Sequence, residues 1–160
     1  FRRRVTCHRC RRFRIYNGTR AIMELTVNYL GDVQFEAEAR GHKVVCDQPE
    51  DNGGANEGMT PPEFLLASLG TCAGFYAVQY LKTRNLPIEG LKVKVVCEKV
   101  LGPARLDNFV VTIETPGELS DKDVEGVRRA AEKCLVKNTM LMPPSMSVVI
   151  SAAVGAVASN

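Results

Sequence analysis

The sequence predicts a single α+β domain, and three observations carry that expectation. Three short alternating stretches lie between residues 24 and 47, a long apolar stretch opens on a helix cap at Thr60, and a second pair of alternating stretches leads into a second capped helix. The expected order is βββ-α-ββ-α-β. At 160 residues the chain can bury one core well and two only poorly.

Each element has a local reason. From Met23 the run MELTVNYL alternates apolar and polar residues, which predicts a strand over about 24–30. Gly31 and Asp32 make a turn, 33–39 a second strand, Arg40 and Gly41 a further turn, and 43–47 a third strand. Residues 48–60 (QPEDNGGANEGMT) carry no periodic signal and read as a loop of the length that often holds functional groups. Thr60 as N-cap, prolines in the first turn and Glu63 three residues after the cap announce a helix of about 24 residues that stops before Pro87. Its stripe Leu65, Leu69, Cys72, Tyr76 and Tyr80 follows helical spacing, and Phe64, Leu66, Ala73, Phe75 and Val78 make it apolar nearly all round. Such a helix belongs in the middle of a core or in an intimate dimer.

Strands follow at about 91–100 and 108–115, joined by the loop LGPARLD. Ser120 caps a second helix with Asp121 and Asp123 in its first turn and a core face of Val124, Val127, Ala131, Cys134, Leu135 and Asn138. Residues 140–144 break that helix, and MSVVISAAV reads as a last strand.

Charge is unevenly placed. Residues 1–22 hold eight of the 21 Lys and Arg and none of the 18 acids, so the net +3 becomes −5 without them. The basic balance is therefore no nucleic-acid footprint for the domain, and no nucleic-acid partner is expected. This arm lacks apolar periodicity and reads as non-native sequence, a translated leader or an Arg-rich targeting segment, with the domain at 23–157 and a short tail at 158–160. No apolar run approaches the roughly 18 residues of a membrane span, so no membrane insertion is expected. Six irregularly spaced cysteines without a secretory segment point to a reducing, cytoplasmic setting. Cys7, His8, Arg9 and Cys10 form one CxxC on the arm, half of a zinc site with no second pair at ligand spacing, so no metal is expected.

Helix phase puts Cys72 in one interior stripe and Cys134, with Val127 and Ala131, in another. Crossing helices pack about 8–10 Å apart, which lets facing cysteines reach the Cα separation of about 4.4–6.8 Å that a disulfide needs. Buried thiols are more often inert small hydrophobes, and Cys46 and Cys97 in the strands read that way.

The stretches TPPEFLLASLGTCAG around Cys72, GHKVVCDQPEDNGGANEG before it and AAEKCLVKNTMLMPP around Cys134 together resemble the OsmC/Ohr family of organic hydroperoxide reductases, over about residues 23–157. The resemblance implies an interlaced homodimer around long central helices. It also implies that Cys72 is the peroxidatic thiol and Cys134 the resolving one. The substrate would be a small organic hydroperoxide, and the reductant an external dithiol such as a lipoylated protein rather than a bound cofactor. Phe64, Phe75, Tyr76, Met140 and Met142 are candidates for an apolar substrate pocket, or equally for core packing.

Activation of Cys72 is less plainly written. It lies about ten residues into its helix, roughly 15 Å from the start, where the helix dipole no longer acts. In the family an arginine of the first hairpin, held by a glutamate, activates the cysteine. This chain reads NYLGDVQF there and has none, leaving Arg40 and Arg105 as substitutes. Glu63 is on the opposite helix face from Cys72 and roughly 13 Å away along the axis, so it is either a capping residue or a group for a partner subunit's site. His42 is a turn histidine or a proton donor. The missing hairpin arginine leaves open a non-catalytic, redox-responsive or ligand-binding protein of the same fold.

Overall fold

The computed structural model describes residues 15, 16 and 20–151. Two short strands, β1 (Ile15–Tyr16) and β2 (Arg20–Ala21), pair antiparallel, and the rest of the expected arm, with its CxxC, lies outside the described residues. The chain divides into two compact units, residues 1–64 and 65–160.

In the first unit, β3 (Thr26–Gly31), β4 (Gln34–Ala39) and β5 (His42–Cys46) form an antiparallel meander in that order. Tyr29 stands opposite Phe35 with ring centroids 5.6 Å apart. The β4–β5 turn puts Arg40 at φ 54° and Gly41 at φ 84°, so Arg40 is a turn residue in the left-handed region. The loop after β5 folds around one carboxylate. Asp47 is fully buried and accepts from the backbone N–H groups of Gln48 at 2.8 Å, Glu57 at 3.0 Å and Ala55 at 3.1 Å, and from the Gln34 amide at 3.3 Å. Those bonds, chiefly the one from Glu57 and acting against burial, hold its carboxyl below the usual range. Helix α1 (Pro61–Thr83) opens as expected, with Glu63 accepting from the Thr60 N–H at 2.7 Å and the Thr60 hydroxyl at 2.8 Å.

In the second unit, α1 packs through a face different from the expected stripe. Its buried positions are Leu69, Gly70, Ala73, Gly74, Ala77 and Leu81, because two glycines and two alanines let the helix lie close to a strand. A Cβ at Gly70 would stand 3.0 Å from Val95, and one at Gly74 3.1 Å from Val93. Tyr76 and Tyr80 are only half buried, and Phe75 is 58% exposed. The expectation that no run is long enough to span a bilayer does not hold on length and composition: α1 contains an 18-residue window of mean hydropathy 1.4, a third of it buried.

β6 (Lys92–Leu101) and β7 (Ala104–Glu114) form a long antiparallel hairpin with a bulge between Val96 and Glu98. The expected LGPARLD loop is mostly strand, since Arg105 pairs with Val100 and Ala104 with Leu101, leaving Gly102 and Pro103 as the turn. Ser120 caps α2 (Asp121–Ala131), its hydroxyl accepting from the Asp123 N–H at 3.2 Å. On the outer face Arg128 and then Arg129 push Glu125 down to about 2. Ala77, Leu81 and Val127 form the core between α1 and α2, with Leu86, Ile88, Ile113 and Leu119 packed around it.

Two expectations need correction here. The second helix is not continuous: the chain turns after Ala131, and a separate α3 (Leu135–Leu141) begins with Cys134 as its N-cap, in a non-helical conformation at ψ 119°. Residues 145–151 form no strand, so among the described residues the order ends ββ-α-α. Among the described residues nothing pairs with them, and Val148 and Ile150 are 93% and 94% exposed; positions 152–154 of the expected strand lie outside the described residues. The α+β class itself stands.

Candidate functional site: a thiol pair at the start of α3

Cys72 sits in the fourth turn of α1, half buried, and Cys134 sits at the start of α3, fully buried. The break between α2 and α3 matters to the chemistry. A cysteine inside a helix has neighbouring N–H groups already bonded to carbonyls four residues back, whereas at a helix start those groups are free. The Lys137 N–H donates to the Cys134 sulfur at 3.4 Å. The N–H groups of Val136 and Leu135 act on the sulfur of Cys72.

The two thiols respond in opposite directions. Burial works against ionisation of Cys72, but the hydrogen bond from Cys134, then the Val136 and Leu135 N–H groups, outweigh it and hold Cys72 below the ordinary thiol value. Burial, and after it the hydrogen bond to Cys72, push Cys134 up. The pair is thus polarised, with the thiolate favoured at Cys72 and disfavoured at Cys134. Cys46, also half buried, is pushed up by burial and then by the Asp47 charge. Nothing comparable favours its thiolate.

The other sequence candidates are placed as follows. Arg105 donates to Asp107 at 2.6 Å, opposite Val100 and five residues along β6 from the Val95 that meets α1, roughly 17 Å at strand rise. Arg40 lies in the β4–β5 turn, His42 opens β5 on an exposed position, and the Glu63 carboxylate is bonded to Thr60. These three belong to the first unit, the thiols to the second. The donors that sequence reasoning missed are backbone groups of Leu135 and Val136. Cysteine is not among the usual N-cap residues, so no residue type announced a helix start at Cys134.

A cavity of about 380 Å³ lies on the Cys134 side of the pair, lined by Leu69, Ala73, Val111, Ile113, Val127 and Cys134, with Lys137 among its polar residues. None of Phe64, Phe75, Tyr76, Met140 or Met142 lines this cavity. Phe75 instead packs edge-on against Tyr76, centroids 5.3 Å apart, and Met142 is exposed. Among the described residues no cluster of three or more His, Cys, Asp or Glu is placed to hold a metal.

The family model of OsmC-like proteins matches residues 53–149, a span that takes in both thiols. The chain belongs to the OsmC-like family. Solved structures similar to this OsmC-like chain include a Psychrobacter arcticus protein assigned to osmotic stress and detoxification response, at 23% identity and TM-score 0.68, covering 76% of this chain and 90% of that one. An organic hydroperoxide resistance protein from Legionella pneumophila aligns at 17% identity and TM-score 0.54, over 76% and 91% of the two chains. The organic hydroperoxide resistance protein OhrB of Bacillus subtilis aligns at 18% and 0.51, over 74% and 90%. At these identities the likeness is one of fold. No curated protein matches the chain.

Proposed function

We propose that this OsmC-like protein reduces organic hydroperoxides, with Cys72 as the attacking thiol and Cys134 as the resolving one, in defence against oxidative stress. The single observation that carries the reading is the polarised thiol pair, in which Cys134 donates to a Cys72 sulfur held below the ordinary thiol range. The Cys72 thiolate attacks the terminal peroxide oxygen, the O–O bond breaks, and the alkoxide leaves and takes a proton, so Cys72 becomes a sulfenic acid. Cys134 then attacks that sulfur, water leaves, and a disulfide forms. An external dithiol, such as a lipoylated protein, reduces it by two exchanges and ends as the oxidised partner.

The working form in this proposal is a cytoplasmic homodimer. Val27, Tyr29 and Leu30 of β3, Phe75 of α1 and residues 146–150 are uncovered apolar surface, as a chain that interlaces with a second copy requires.

Stopped-flow mixing with cumene hydroperoxide tests the chemistry. Fast loss of two thiols per hydroperoxide consumed, abolished in Cys72→Ser, is expected; equal rates in wild type and variant would sink it. A second reading, a non-catalytic redox-responsive protein, draws on Arg105 being paired with Asp107 away from the α1–β6 contact. It predicts in the same experiment a slow thiol loss, with dissolved oxygen as the oxidant, whose rate does not change when hydroperoxide is added.

A further inference from the structure

Helix α1 is met from the α2–α3 segment at two places. One is the thiol pair, with Cys134 standing just past the short turn that ends α2. The other lies eight residues further along α1, roughly 12 Å away, where Tyr80 and Arg84 reach Asp123 in the first turn of α2. Asp123 is 8% exposed, and its carboxylate accepts from the Ser120 hydroxyl at 2.6 Å, the Tyr80 hydroxyl at 3.0 Å and the Arg84 Nε at 3.2 Å. Gly126, one turn along α2, lies directly under the Tyr80 ring, and a methyl group there would overlap ring carbons and the hydroxyl.

We propose that Tyr80, Asp123 and Gly126 are positioning residues: they fix the angle at which α2 meets α1 and so hold Cys134 against Cys72. The inference rests on the Cys72–Cys134 reading above. Between the two contacts lie Ala77, Leu81 and Val127, and apolar burial of that kind is non-directional. It holds the helices together but leaves them free to pivot. A pivot of about 5° over roughly 12 Å moves the far end by about 1 Å, more than a reacting pair tolerates. The Asp123 node removes that freedom because hydrogen bonds are directional and the carboxylate is held from both helices at once. Gly126 makes the approach possible, since the hydroxyl end of Tyr80 occupies the space that a side chain at 126 would take.

Asp123 is kept ionised for this role. The Ser120 hydroxyl, against the effect of burial, and then Tyr80 and Arg84 hold its carboxyl below the usual range.

The test compares wild type with Tyr80→Phe, which removes one hydroxyl and keeps the ring, and with Gly126→Ala. For each, the equilibrium constant of the Cys72–Cys134 disulfide is measured against a dithiothreitol couple under conditions where the protein is fully folded, together with the 240 nm thiolate titration of Cys72. We expect the disulfide constant to fall about tenfold in Tyr80→Phe and further in Gly126→Ala, with Cys72 titrating higher in both. A lowered melting temperature with an unchanged disulfide constant and titration would overturn the proposal, leaving the node a stability feature only. If Gly126→Ala does not fold, Tyr80→Phe alone decides. No peroxide enters this measurement, so wild type that is slow with hydroperoxide would defeat the proposed activity and leave the positioning result standing.

Discussion

Cys134 acts in three ways: it caps α3, donates to Cys72, and in the proposed cycle closes the disulfide. Removing its sulfur separates these roles. In Cys134→Ala, Cys72 loses the partner that does most to favour its thiolate, so its titration moves up toward the ordinary thiol value. A thiol whose folded value is depressed is more fully ionised at any pH below that ordinary value. Alkylation of wild-type Cys72 at neutral pH should therefore be about threefold to tenfold faster than in the variant, the two converging above pH 9. The variant should also accumulate Cys72 sulfenic acid after hydroperoxide treatment, trapped as a dimedone adduct by mass spectrometry. Overlaying pH profiles would mean that Cys134 does not activate its neighbour. At this scale the sequence revealed the two cysteines through helical spacing and motif. It concealed the activating donors, because backbone N–H groups are the same in every residue type and only the break before Cys134 exposes them.

At the scale of elements, the glycines of α1 matter as much as its large apolar residues. Gly70 and Gly74 bring α1 against Val95 and Val93 of β6, and that contact helps define the helix face from which Cys72 projects. A valine at Gly74 has to displace the Val93 side chain, and overpacking of this kind costs about 1–3 kcal/mol, to be read from the urea midpoint at unchanged slope. An unchanged midpoint would show that the helix–strand contact is loose enough to absorb the added methyls. The extents of α1, β3, β4 and β5 were legible because alternation and capping signals agreed there. The buried face of α1 was not: with apolar residues nearly all round, the choice among faces falls to the residues small enough for close approach. The same limit applied to α2 and α3. Val127, Ala131 and Cys134 fit one helix in phase, and nothing in that phase marks the turn at Glu132.

For the molecule as a whole, the proposed pairing of two chains makes a direct prediction. Light scattering at micromolar concentration should give twice the 17.6 kDa chain mass, and a value of one chain mass would refute the homodimer. The expected last strand, MSVVISAAV, shows why this level was only partly legible. Its alternation and β-branched content are genuine strand signals, yet a strand needs a partner. Among the described residues of one chain, 145–151 have none.

That unpaired segment also bears on how the protein survives at high concentration. Residues 145–151 carry no charge and are rich in β-branched side chains, the composition that lets identical segments stack on one another. Pro143 and Pro144 stand immediately before them, and proline cannot donate to a growing ladder. A ladder built on such segments would meet the two prolines before it reached α3 and the thiols.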